Sequence, residues 1–169
     1  MNGNEQLKNI KIFLSDVDGV MTDARIWLNT EGEWCRHFSI YDGMGLKRLQ
    51  ELDIKTGIIT AALANDVRKR FEFLKVDYFC EGSKDKIKDL KSILDQSGFH
   101  PKEVCYIGDD LMDLPVIKEV GFGVTVPHAL DEIKDGSDYV TKRQGGYGAV
   151  REICEMIIKA HTKEEGVFA

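Results

Sequence analysis

Two aspartates directly follow an apolar run, in the order Phe13-Leu14-Ser15-Asp16-Val17-Asp18. Alternate side chains of an extended chain point the same way, so Asp16 and Asp18 are expected to share one face. In such a pair, one carboxylate can attack a phosphorus atom while the other transfers protons. The alternative is a solvated turn that only ends the strand.

A second acidic cluster, Asp109, Asp110 and Asp113, follows another apolar run. Gathering these carboxylates beside Asp16 and Asp18 would be costly without a cation. Carboxylate oxygens suit Mg²⁺, which uses one or two of them together with a substrate phosphate. The alternative for Asp110 and Asp113 is capping of the helix that follows.

Thr60 and Lys86 supply what a phosphoryl-transfer site still needs. Thr60 ends a second apolar run and can donate its hydroxyl to a phosphoryl oxygen, and Lys86 opens a helical pattern and can supply a compact positive charge. Each residue alone has an ordinary explanation, a structural threonine and a solvated lysine. The specific signal is the order Asp-x-Asp, Thr, Lys and Gly-Asp-Asp-x-x-Asp.

Strands and helices alternate along the chain. Short apolar runs bounded by turn residues predict buried strands at 10–14, 56–60, 104–107 and 123–126, with shorter edge strands at 78–79 and 139–140. Helical patterns occupy 44–52, 66–74, 84–97, 112–120 and 149–160. The alternation predicts an α/β fold with a doubly wound parallel sheet, whose ligands bind at the carboxyl ends of the strands.

One stretch interrupts the alternation, because residues 25–28 and 33–38 flank a glycine-containing turn and predict a β-hairpin. The hairpin carries Trp27, Trp34 and Phe38. An isolated hairpin is only marginally stable and exposes aromatic surface. It therefore either packs on its own domain or pairs with other subunits.

Bulk properties limit the partners and the compartment. A length of 169 residues predicts one domain, residues 1–169, and a net charge of -6 disfavours nucleic acid as a partner. Neither a membrane span nor a signal peptide is evident, so we expect a cytoplasmic protein without a membrane partner. The four cysteines and four histidines are scattered and predict no zinc site or disulfide framework. The ends, 1–8 and about 162–169, are expected to be loose.

The ordered motifs resemble those of the haloacid dehalogenase superfamily of phosphatases, over nearly the whole chain. The resemblance implies a Rossmann-like core in which Asp16 is the nucleophile and forms an aspartyl-phosphate. Asp18 would be the general acid and base, and Thr60 and Lys86 would bind phosphate. The metal ligands implied for Mg²⁺ are Asp16, Asp109 and the backbone carbonyl of Asp18.

The same resemblance places two further aspartates outside the metal's direct ligands. Asp113 is expected to orient Lys86, and the role of Asp110 is less defined. From residue 18 to residue 60 there is room only for the hairpin and one helix, and from 60 to 86 for little more than another helix and a strand. The sequence therefore predicts a hairpin insertion and no cap domain.

Within the superfamily, segments 16–23, 29–32, 41–45, 108–115 and 145–152 are similar to those of 3-deoxy-D-manno-octulosonate 8-phosphate (KDO 8-phosphate) phosphatases. That family implies a small capless homotetramer, assembled through its hairpins, which hydrolyses a phosphorylated sugar acid. A neighbouring subunit would help enclose the substrate through the tail segment, about 142–169, and the candidate residues there are Arg143, Gly145 and Gly146. The alternative for 142–148 is a flexible, basic joint.

Two departures leave the sugar open. Ala61 and Ala62 stand where the family usually has Gly-Arg or Gly-Glu, and Tyr147 stands where an arginine is common. A 9-phosphate of a nine-carbon sialic-type acid is therefore an alternative substrate. Two further alternatives are not enzymes. One is a phospho-accepting receiver, but receivers carry these motifs in another order. The other is a catalytically silent oligomerising module.

Overall fold

The computed structural model describes residues 3–162 and places one six-stranded parallel sheet at their centre. The strands are β1 (Ile12–Ser15), β2 (Trp27–Leu28), β3 (Trp34–Cys35), β4 (Lys55–Ile59), β5 (Tyr78–Cys80), β6 (Val104–Ile107), β7 (Phe122–Thr125) and β8 (Tyr139–Val140). The sheet order is β5-β4-β1-β6-β7-β8, and β2 and β3 form a separate antiparallel pair. The predicted doubly wound parallel sheet is confirmed.

Strand β1 lies in the middle of the sheet because every residue of it is apolar or small and buried. It pairs in parallel with β4 and with β6, and Ser15 lies opposite Ile58 and Ile107. The chain first adds β4 and β5 on one side of β1 and then adds β6, β7 and β8 on the other side. Residues that directly follow these three strands therefore meet at one edge, at the switch point where such sheets bind ligands.

Helices flank the sheet. They are α1 (Gly3–Lys8), α2 (Ile40–Gln50), α3 (Asn65–Leu74), α4 (Lys86–Ser97), α5 (Leu114–Glu119), α6 (Asp131–Asp135) and α7 (Ala149–Thr162). Helices α1 and α2 pack against α7, and α4 packs against α5. Helix α2 begins four residues before its predicted start, because Ser39 caps it by accepting a hydrogen bond from the Asp42 amide. No helix within residues 3–162 has the length and apolar composition to cross a bilayer.

The prediction of a loose N-terminal segment, 1–8, is wrong for its described part. Residues 3–8 form α1, whose Leu7 is buried against the core and whose Gln6 side chain donates to the Gly121 carbonyl. The sequence pattern was too short to show this because six residues complete less than two helical turns. Of the predicted C-terminal tail, Thr162 ends α7 and the remainder lies outside the described residues.

The hairpin is present, and a turn joins its short strands β2 and β3. In this turn Asn29 Oδ1 accepts hydrogen bonds from the backbone amides of Glu31 and Glu33. Trp34 and Leu28 each expose about half of their surface. Within residues 3–162 no larger segment than this hairpin and α2 separates β1 from β4. The predicted capless arrangement with an insertion after β1 is therefore confirmed.

Candidate active site

Asp16 and Asp18 leave the carboxyl end of β1 and both line a cavity of about 270 Å³. Asp16 is almost fully buried, whereas the side chain of Asp18 is 39% exposed. Thr60, directly after β4, and Lys86, the first residue of α4, line the same cavity. The sheet thus gathers four candidate residues that are up to 70 positions apart in the chain.

Lys86 is the buried cation of the site. Its Nζ lies 2.9 Å from Asp16 Oδ1 and 2.7 Å from Asp113 Oδ1. Burial alone would lower the pKa of Lys86, but the charges of Asp16 and Asp113 raise it, so the amine stays protonated. A cation held beside Asp16 is placed to stabilise the equatorial oxygens of a bound phosphoryl group.

Asp113 connects Lys86 to the second acidic cluster. Its Oδ1 accepts from Lys86 and from the Tyr106 hydroxyl, and its Oδ2 accepts from the amides of Asp109 and Asp110 at 3.0 Å each. A carboxylate has about four acceptor positions, and these four bonds occupy them. Asp113 stands at the N-cap position of α5, yet its side chain makes no capping hydrogen bond there. Its side chain therefore links Lys86 and Tyr106 to the backbone of the second acidic cluster instead of capping α5.

Asp109 reaches the cavity because residue 19 is glycine. Gly19 has φ of +85°, and a Cβ there would lie 1.9 Å from Asp109 Oδ2. Any side chain at this position would meet the carboxylate and would also strain the backbone. The turn after β1 therefore needs glycine at position 19 to leave room for the Asp109 carboxylate.

Asp16, Asp109 and Asp113 each place a carboxylate oxygen so that all three lie within 4.8 Å of one another. Burial and the charge of Asp113 raise the pKa of Asp16 to about 7, and burial and the charge of Asp16 raise that of Asp109 to about 7. A cation would remove this repulsion. Since the acceptors of Asp113 are occupied, Asp16 and Asp109 are the carboxylates that fit a hard metal ion such as Mg²⁺.

We expect Mg²⁺ to stabilise the protein more in mild alkali than in mild acid. A raised pKa means that the folded, metal-free chain binds protons more tightly than the unfolded chain, so these two carboxyls reduce stability as pH rises from about 4 to about 7. Mg²⁺ needs the ionised forms. Its gain in melting temperature should therefore be larger by several degrees at about pH 8 than at about pH 5.5.

Differential scanning fluorimetry with and without Mg²⁺ measures this difference. A gain in melting temperature that is equal at both pH values, or larger in acid, would contradict the assignment of the metal to these carboxylates. The Asp109→Asn variant is the control and should lose most of the gain at either pH.

Three further residues of the site were not predicted from the sequence. Arg36 follows β3 and bonds Asp18, Tyr106 bonds Asp113 from within β6, and His128 Nε2 lies 3.8 Å from Asp109 Oδ2. Tyr106 could have been suspected, because a tyrosine in a fully buried strand needs a hydrogen-bond partner. Arg36 and His128 come from loops whose path the sequence does not reveal.

The remaining predicted residues are distributed around the site. Asp110 is exposed and lines the cavity. Gly145 lies so close to the turn after β1 that a Cβ would be 1.8 Å from the Gly19 carbonyl oxygen, and the Gly146 amide donates to the Val20 carbonyl at 2.9 Å. Gly145 and Gly146 are therefore packed against the turn after β1, whereas Lys142, Arg143, Gln144 and Tyr147 are exposed.

Arg143, by contrast, does not share the cavity of the catalytic candidates. It lines a separate cavity of about 720 Å³ together with Tyr41, Arg48 and Arg151. Its backbone amide donates to Glu152 Oε2, which fixes the start of α7 relative to this segment. Within one chain, the predicted substrate residue Arg143 and the strand-end aspartates thus line different cavities.

Known proteins share this fold and these motifs. Residues 79–153 match the haloacid dehalogenase-like hydrolase family. The chain is 38% identical over 162 residues to 3-deoxy-D-manno-octulosonate 8-phosphate phosphatase KdsC of Yersinia pestis, covering 96% of this chain and 87% of the relative.

Two solved structures extend the comparison. The phosphatase of that name from Moraxella catarrhalis, in complex with a magnesium ion, a phosphate ion and KDO, superposes with a TM-score of 0.93 at 38% identity, over 98% of this chain and 95% of that one. The cobalt-bound form from Haemophilus influenzae gives a TM-score of 0.90 at 32% identity, over 97% of this chain and 96% of that one.

The parallel sheet, the acidic cluster at its switch point and these similarities define a haloacid dehalogenase-like hydrolase, an enzyme that cleaves phosphoric monoesters. Within that class, the chain belongs to the 3-deoxy-D-manno-octulosonate 8-phosphate phosphatase family. The resemblance inferred from the motifs is confirmed.

Proposed function

We propose that the protein is a Mg²⁺-dependent phosphatase of a phosphorylated 2-keto-3-deoxy sugar acid, and that it converts KDO 8-phosphate to KDO and inorganic phosphate. The observation that carries the proposal is the buried Asp16 carboxylate, held 2.9 Å from Lys86 Nζ at the carboxyl end of β1. The relatives that carry this enzyme's name match over almost the entire chain.

The positions of the side chains support the following chemistry, which the family resemblance implies. Asp16 attacks the phosphorus in line and becomes an aspartyl-phosphate, while Lys86 and the Thr60 hydroxyl bind the phosphoryl oxygens. Asp18 donates a proton to the departing sugar oxygen and then accepts one from the water that hydrolyses the aspartyl-phosphate. Asp16, Asp109 and the Asp18 backbone carbonyl would hold Mg²⁺, which would supply positive charge beside the phosphoryl group.

The cavity wall favours one second candidate. Ala61 and Ala62 line the cavity beside Thr60, so this part of the wall offers methyl groups and no charged side chain. The arginine or glutamate that the family usually carries at this position, which could contact the sugar, is absent. The second candidate is therefore the 9-phosphate of a nine-carbon sialic-type acid, which changes the sugar and keeps the phosphoryl chemistry.

A substrate panel tests the proposal. Phosphate release is measured with and without Mg²⁺ on KDO 8-phosphate, on nine-carbon 9-phosphates and on unrelated sugar phosphates. We expect Mg²⁺-dependent release with the highest kcat/KM on KDO 8-phosphate. A preference for nine-carbon acids would select the second candidate, and equal values on unrelated phosphates would contradict both. A stable phosphoprotein with negligible release would indicate a receiver.

The assembly is part of the same proposal. Trp27 and Trp34 of the hairpin are exposed, as are Tyr41 and Tyr147, and exposed aromatic side chains of this kind support a contact with another chain. We infer a homotetramer, built on a single domain of residues 1–169 and located in the cytoplasm, in which tail residues such as Arg143 and Gly146 serve a neighbour's substrate. Light scattering that reports the mass of one chain would contradict the tetramer.

A further inference from the structure

Arg36 makes a two-pronged ion pair with Asp18. Its Nε lies 2.6 Å from Asp18 Oδ1, and its Nη2 lies 3.2 Å from Asp18 Oδ2. Parallel bonds of this kind fix both the distance and the plane of a carboxylate, which one bond from a lysine does not do. The carboxylate of Asp18 is thereby held in one orientation.

The guanidinium is itself anchored on the opposite side. Its Nη1 lies 3.1 Å from Asp66 Oδ1 and 3.3 Å from Asp66 Oδ2. Asp66 lies in the first turn of α3, and its Oδ1 also accepts from the Val67 amide. An acidic side chain at a helix N-terminus is favoured by the helix dipole, so Asp66 is a stable support.

Burial distinguishes the roles of these residues. The side chain of Arg36 is 8% exposed and that of Asp66 17%, whereas Asp18 is 39% exposed and lines the cavity. Burial would lower the pKa of Arg36, but its bonds to Asp18 and Asp66 raise it, so the guanidinium stays charged. Arg36 therefore reaches the reacting groups through Asp18.

We propose that Arg36, supported by Asp66, is a positioning residue that holds Asp18 at the angle required for proton transfer to the leaving group. This inference rests on the proposed function, because it needs Asp18 to be the general acid. Arg36 occupies one acceptor position on each Asp18 oxygen. A carboxylate offers about four such positions, so others remain for the leaving-group oxygen and for water.

A difference in leaving group isolates this role. An alkyl phosphate expels a basic alkoxide that needs a proton, whereas p-nitrophenyl phosphate expels a stable phenolate that does not. The kcat/KM on each ester reports the first chemical step. Loss of positioning should lower the alkyl-to-aryl ratio of kcat/KM, while a general loss of structure lowers both values together and leaves the ratio unchanged.

The test variant is Arg36→Met combined with Asp66→Leu. Replacing both partners avoids leaving Asp66 as an unpaired buried charge, which would destabilise the fold for an unrelated reason. The matched control is Arg68→Met, which removes a different α3 ion pair, that of Arg68 with Glu81. Asp18→Asn provides the reference for complete loss of the acid.

We expect the double variant to lower the alkyl-to-aryl ratio at least about tenfold, in the same direction as Asp18→Asn, because general acids contribute about a hundredfold or more. Arg68→Met should keep the wild-type ratio. A ratio within about threefold of wild type in a folded double variant would overturn the positioning role. If wild-type protein shows no Mg²⁺-dependent hydrolysis of either ester, the proposed function fails instead.

Discussion

An Asp16→Asn variant is expected to lose steady-state phosphate release by at least about ten-thousand-fold, because loss of a nucleophile removes the covalent route. The amide is a poor nucleophile toward phosphorus. Among residues 3–162, the other carboxylate that forms an ion pair with Lys86 is that of Asp113, whose acceptor positions are occupied. The measurement is Mg²⁺-dependent phosphate release at saturating substrate.

The same variant should fold and melt at or above the wild-type temperature in metal-free buffer. Burial and the charge of Asp113 raise the pKa of Asp16 to about 7, so the wild-type carboxylate is costly once ionised and the neutral amide removes that cost. Asp131→Asn is the matched control, since that side chain is 93% exposed. Wild-type turnover by purified Asp16→Asn would show that the nucleophile is another residue.

Replacing Lys86 with methionine should damage both stability and catalysis. The change leaves Asp16 and Asp113 buried without their cation, and removing one partner of such a pair typically costs about 3–5 kcal/mol. Phosphate release should also fall by about a hundredfold or more, because one preorganised donor to the phosphoryl oxygens is lost. The free energy of unfolding is measured by urea denaturation.

The loss of stability should be larger at about pH 8.5 than at about pH 5.5. The pKa of Asp16 is already about 7 with Lys86 present, and removing the amine raises it further, so ionisation of the unpaired Asp16 carboxyl destabilises the fold as pH rises. Lys88→Met is the control, because Lys88 is exposed two residues further along α4. Equal unfolding free energies for the two variants would contradict the buried ion pair.

Local patterns were sufficient for the sheet and for the acidic residues of the site. Asp16, Asp18 and Asp109 were found because each comes directly after, or close to, the end of a recognisable apolar strand, and parallel strands carry such residues to one edge. The same logic placed Thr60 after β4. The helix bounds were less accurate: α2 starts at a serine cap that the apolar pattern does not show.

The amino-acid pattern was enough to predict the sheet, the positions of the strand-end carboxylates and, through the order of the motifs, the family. The folded structure was needed to show that Lys86 is buried, that Tyr106 bonds Asp113, and that Arg36 and Asp66 hold Asp18. The difference arises from how far apart the interacting residues are along the chain. A strand and the residue after it are set by neighbours in the chain, whereas Arg36 lies 18 residues from Asp18 and 30 from Asp66, and only the folded path of the hairpin brings the three together.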